Sequence, residues 1–109
     1  MIRAGEPLES IDEIKVNRAG RIRNMNKKKE VELTNGPGKL GQAFGIDTDW
    51  SGIDSVESCE FYVEEEVGYG LGEEDIVTST RVNIDSSGVE WCKKLWRFYI
   101  RGNLWVSKK

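Results

Sequence analysis

Asn35–Ile46, NGPGKLGQAFGI, sets Gly36, Gly38, Gly41 and Gly45, one proline and Lys39 around a short apolar run. Pro37 suits a first helical turn, Leu40, Ala43 and Phe44 fall at helical spacing, and Gly45 suits a left-handed stop. Free amides at such a helix start, with Lys39 beside them, can hold an anion. A helix capped by Thr34 or Asn35 and binding nothing would carry the same residues. The nucleotide loop GxxxxGK[ST] is excluded, because Leu40 follows Lys39 and the glycines fall at the wrong spacing.

The chain has no histidine, which removes Ser-His-Asp and Cys-His catalysis and every imidazole-bound zinc site. Carboxylates, lysines and tyrosines are left for acid–base work. Cys59 and Cys92 stand far apart and in no CxxC pair, so two free buried thiols are expected rather than a disulfide. No run of eighteen apolar residues is present, and MIRAGEPLES lacks the basic head and apolar core of a secretory signal. A cytoplasmic, nucleoid-associated or nuclear setting follows as an expectation.

The net charge of −3 is unevenly distributed. Residues 1–45 carry nine Lys/Arg against six Asp/Glu, residues 46–79 carry eleven acids and no base, and residues 80–109 carry seven bases against two acids. Two basic ends with an acidic stretch held away from a polyanion is one reading. A solvated acidic loop with ordinary surface lysines is the other.

The elements that must position these groups read as α+β. Met1-Ile2-Arg3 reads as a strand end. A helix follows from Pro7, with Leu8, Ile11, Ile14 and Val16 as a partial apolar face, until Ala19-Gly20 weakens it. The segment 21–33 is basic through Arg21, Arg23, Lys27, Lys28 and Lys29, with Val31 and Leu33 as anchors. It is either a solvated face or a surface for nucleic-acid backbone. Trp50, Ile53 and Val56 can pack within a turn-rich stretch. CEFYVEEEV and IVTSTRVNID read as strands, with SSGVEWCKK as a connection. LWRFYI-RGN-LWVS reads as a hairpin about Gly102-Asn103, with Trp96, Phe98 and Ile100 on one face against Arg97, Tyr99 and Arg101.

Three pieces, IRAGEPLE, NGPGKLGQAFGI and TRVNI…WRFYIRGN.WVS, occur in an order and separation that resembles the alkyladenine (3-methyladenine) DNA glycosylase family, in its C-terminal half only. The resemblance implies one domain, 1–109, of truncated type. Its sheet is antiparallel or mixed with two or three flanking helices, forming an incomplete domain. It implies base-excision repair on double-stranded DNA containing alkylated bases: a purine is flipped from the duplex and its N-glycosidic bond is hydrolysed by water, without metal or cofactor. Arg3 matches the arginine that holds the nucleophilic water, and the backbone carbonyl of Val82 matches a second holder. Gly36, Gly38 and Lys39 match a DNA-phosphate contact. Read without the family, Arg3 is a surface arginine paired with Glu6 or another acid.

In that family the general-base glutamate, the aromatic pocket walls and the intercalating tyrosine lie in the other half. The chain alone is therefore expected to show little or no excision. Asn83 stands where the family pattern has glycine, and Leu95 where it has proline. An exposed sheet edge is expected to allow self-association. The alternative is a non-catalytic nucleic-acid-binding module similar to the C-terminal domain of methionyl-tRNA formyltransferase.

Overall fold

The computed structural model describes residues 1–19, 30–83 and 88–107. They belong to two compact units, Met1–Tyr69 and Gly70–Lys109. The basic run Arg21 to Lys29 lies outside the described residues, as do the end of the expected IVTSTRVNID strand and most of SSG before Val89.

In the first unit, α1 spans Ile11–Arg18, with Asp12 and Glu13 in its first turn and Lys15 and Arg18 in its last. That charge order complements the helix dipole. The helix begins after Ser10, whose φ of 55° is left-handed, and not at Pro7, which is buried in an irregular segment. Only Ile14 of the expected apolar face is buried, at 4%, whereas Leu8 and Val16 are more than 70% exposed. One turn after Ile14, Arg18 is buried as well, at 5%. The buried face of α1 is thus half apolar and half guanidinium.

A 3-10 turn at Val31–Leu33 leads into α2, Pro37–Ala43. Gly36 precedes α2 in extended backbone and Pro37 takes the first helical position. The end is a Schellman motif: Ile46 N donates to Gly41 O at 2.9 Å and Gly45 N to Gln42 O at 3.2 Å, with Gly45 at φ 64°. Every signal for this helix lies within a few residues of it, so the sequence expectation holds at both ends. Leu33, Ile14 and Ala43 form the buried apolar core, joined by the polar Thr34.

Met1–Arg3 is not a strand end, and CEFYVEEEV is not a strand. Phe61 instead packs edge-on against Trp50, with ring centroids 6.2 Å apart. Val63 N donates to Ser55 O at 2.7 Å, and Glu64, Glu65 and Glu66 are all exposed. Three adjacent carboxylates have no apolar alternation to bury on either face, which removes the driving force for a sheet position.

In the second unit, β1 (Ile76–Ser79) pairs antiparallel with β2 (Arg97–Ile100), matching Ile76 to Ile100 and Ser79 to Arg97. Arg101 N donates to Asp75 O at 2.7 Å, extending the ladder by one bond. The hairpin expected around Gly102-Asn103 does not form, and β2 takes β1 as its partner. The turn closes one residue earlier, about Arg101-Gly102, with Asn103 N donating to Ile100 O at 3.3 Å. Gly102 takes φ 73° as the second central residue of that turn, and Asn103 is not among the positive-φ residues. The Asn103 side chain instead accepts from Trp105 N at 2.8 Å, bending the chain into further turns.

The face expected to be apolar is the more exposed one: Trp96 and Phe98 are 53% and 66% exposed, while Arg97 and Tyr99 are half-buried. Arg97 lies over the Tyr99 ring at 4.4 Å and donates to Ser79 Oγ at 3.1 Å. The expected connection contains a short helix, α3, at Val89–Lys93. The class is α+β, and among the described residues the expected antiparallel or mixed sheet is a two-stranded antiparallel one.

Candidate functional site

The chain near Arg3 is irregular and its position comes from contacts further along. Thr34 is fully buried and its hydroxyl donates to Gly5 O at 2.6 Å. A Cβ built on Gly5 would stand 3.6 Å from Leu40 Cδ1, so this segment lies against α2. Arg3 itself is exposed. Among the described residues it forms no ion pair, neither with Glu6 nor with another acid. Its guanidinium is left able to donate to a water or an anion.

The start of α2 is not capped by a side chain. Thr34 spends its hydroxyl on Gly5, and Asn35 accepts from Lys39 Nζ at 2.9 Å. Neither residue caps the helix, so the first-turn amides carry no side-chain oxygen and Lys39 stands beside them. Gly36 is half-buried under the Lys39 stem, 3.8 Å from a Cβ position to Lys39 Cδ. Gly38 is exposed, with nothing within 4 Å of the place a Cβ would occupy. Its backbone can be approached closely from outside.

The other end of α2 is held by α1. Asn17 Nδ2 donates to Ala43 O at 2.8 Å, and the Arg18 guanidinium donates to Gln42 Oε1 at 2.5 Å and to Glu32 O at 3.4 Å. Arg18 Nε is buried without a hydrogen-bond partner among the described residues. Sequence reasoning missed Thr34, Asn17 and Arg18. The only signal for Arg18 is its position one turn after Ile14, and Thr34 carries none beyond preceding the glycine-rich turn.

Val82 belongs to the second unit, after β1, and is half-buried. Asn83 beside it has φ 60°. A left-handed residue explains why glycine suits this position, and asparagine is among the side chains that tolerate it. At the other departure, Lys94 has φ −69° and ψ 133°, the conformation a residue before proline adopts. Proline at position 95 is thus geometrically admissible. The structure brings the Arg3 segment and the Lys39 turn together within the first unit, whereas Val82 stands in the second.

Residues 1–104 match the family model for methylpurine-DNA glycosylase. This chain belongs to that family. A relative from Natranaerobius thermophilus, provisionally named a 3-methyladenine DNA glycosylase, is 44% identical over 97% of this chain and 50% of its own length. Relatives of the same name from Clostridium novyi and Carboxydothermus hydrogenoformans are 39% and 40% identical over 100% of this chain, and over 52% and 50% of their own lengths. The chain spans about half the length of these relatives.

These matches correct two expectations. The resemblance is not confined to a C-terminal half, because the family model runs through residues 1–104 and the relatives align with 97–100% of the chain. The same match leaves the expected incomplete domain, and the description "fragment", without support.

Among the described residues no group of three or more Cys, Asp or Glu is placed to hold a metal ion, and no helix is long and apolar enough to cross a membrane. Neither cysteine is in a disulfide. Cys92 is half-buried, but Cys59 is exposed and not buried as expected.

Proposed function

We propose that this chain serves base-excision repair as a methylpurine-DNA glycosylase, holding double-stranded DNA that contains alkylated bases and positioning the water that releases a flipped purine. The observation that carries this reading is the pairing of a family match over residues 1–104 with an exposed Arg3 that has no ion pair among the described residues, two residues from the Gly5 carbonyl held by Thr34. Lys39, the exposed backbone at Gly38 and the half-buried Gly36 beneath the Lys39 stem contact a phosphate, supplying register on the duplex without reading its sequence. Arg3 donates to the nucleophilic water, and the family resemblance alone assigns the Val82 carbonyl as an acceptor from it.

Water oxygen then bonds to the sugar C1′ as the C1′–N bond breaks, and its electron pair leaves with the purine. Alkylated purines of the 3-methyladenine kind carry positive charge, so the departing base needs less acid assistance. The proton lost by the water requires a base, and no carboxylate of this chain is assigned that role. The reaction uses water alone, with neither metal nor cofactor.

The test is a purified-chain assay on a duplex carrying one alkylated purine, measuring released base and equilibrium binding together. Binding that exceeds that to tRNA of equal length, and weakens in Arg3→Ala or Lys39→Gln, supports the reading. Little or no release is expected from the chain alone. Release that survives Arg3→Ala would overturn the water-holding role. Equal or tighter binding to tRNA favours instead the non-catalytic nucleic-acid module.

We also propose that 1–109 acts as one domain and self-associates through the sheet. β1 and β2 each pair on one side only among the described residues, and Trp96, Phe98 and Leu104 are all more than half exposed. Unpaired edges and apolar surface of this kind favour association.

A further inference from the structure

Two hydrogen bonds meet at the start of α2, one local and one long-range. Lys39 Nζ donates to Asn35 Oδ1 at 2.9 Å, and the adjacent Thr34 donates from a fully buried hydroxyl to Gly5 O at 2.6 Å, across 29 residues. Gly5 is two residues from Arg3. Residues 1–4 form no hydrogen bond among the described residues. The Gly5 carbonyl is therefore the polar anchor nearest Arg3, and the Leu40 contact is the apolar one.

A chain segment without secondary structure keeps most of its backbone freedom unless something ties it. A buried hydroxyl paired with a backbone carbonyl is such a tie, because separating them strands both groups away from water. We infer that Thr34 is a positioning residue: its hydroxyl holds the Arg3 segment at a set distance from the Lys39 turn, so that a duplex engaged at Lys39 finds Arg3 already placed. The inference rests on the proposed function for what Arg3 and Lys39 contact, but the tie itself does not.

The experiment compares the full-length chain with Thr34→Val, which keeps the shape and removes the hydroxyl, and with Thr34→Ser, which keeps the hydroxyl. Without DNA, backbone order is read by NMR relaxation, and Tm by calorimetry. Thr34→Val is expected to lose backbone order at residues 3–5 while residues 39–43 stay as they were, and Thr34→Ser to restore the original pattern. With a duplex carrying one alkylated purine, the original chain and Thr34→Ser shift amides at both Arg3 and Lys39. Thr34→Val shifts those at Lys39 alone and binds about three- to tenfold more weakly.

Order at residues 3–5 that survives Thr34→Val overturns the inference, as does a Thr34→Ser chain that behaves like Thr34→Val. Duplex shifts in the original chain that reach Lys39 but not Arg3 overturn it too. If the duplex shifts nothing in the original chain, the functional reading fails and the DNA-free comparison alone decides the tie. Should Thr34→Val not fold, the Thr34 hydroxyl proton of the original chain decides: slow exchange supports the bond to Gly5, and fast exchange overturns it.

Discussion

Replacing Lys39 by glutamine tests the phosphate contact most directly. In the free protein the Lys39 ammonium makes one hydrogen bond, 2.9 Å from Asn35 Oδ1, and no ion pair among the described residues. A hydrogen bond between charged partners contributes about 1.5–3 kcal/mol, and the bond to a neutral amide that must be given up contributes about 1 kcal/mol. The difference is about 0.5–2 kcal/mol, which corresponds to a roughly two- to thirtyfold loss of affinity. One phosphate fewer also means fewer released counterions, so the slope of log affinity against log salt should fall by about 0.9. Fluorescence anisotropy of a labelled duplex through a salt series reads both quantities. The substitution removes no buried apolar group, so stability should change by less than about 0.5 kcal/mol. An unchanged slope would refute the contact even if affinity fell, because a loss without counterions cannot come from a phosphate.

Leu33 has no exposed surface, and Leu33→Ala should cost about 2–5 kcal/mol in denaturant unfolding, through lost burial and the cavity left behind. Gly45→Ala meets no atom within 4 Å but holds φ at 64°, so it should cost about 1 kcal/mol from backbone strain alone. A loss near zero would mean that the α2 terminus rearranges. Size-exclusion over a hundredfold concentration range should show a shift toward dimer, and Phe98→Lys should suppress it; a monomer throughout counts against the sheet surface. If 1–109 is one domain, calorimetric and van't Hoff enthalpies of unfolding should agree, and two separate transitions would count against it.

The parts legible in the sequence are those whose causes are local. Pro37 at a first turn, Gly45 at a left-handed stop and the apolar spacing between them act within a few residues, and α2 appears where they put it. The family motifs are linear as well, which is why three short stretches sufficed to point to the family that the matches then establish. CEFYVEEEV and the Gly102-Asn103 hairpin were misread because β-propensity says that a segment suits a sheet, not which segment pairs with it. Alternation along Trp96–Arg101 separates two faces but does not say which is covered, and the arginine-tyrosine face proved the more buried.

By itself, then, the sequence determined the position of one helix, the exclusion of histidine chemistry and the order of the family's motifs. Only the tertiary structure decided that Thr34 reaches Gly5, that Arg18 is buried beneath α2, and that β2 pairs with β1. Each joins groups some 20 to 30 residues apart. A hydrogen bond across such a distance depends on where the intervening chain has folded, and no local pattern in the residues it joins carries that information.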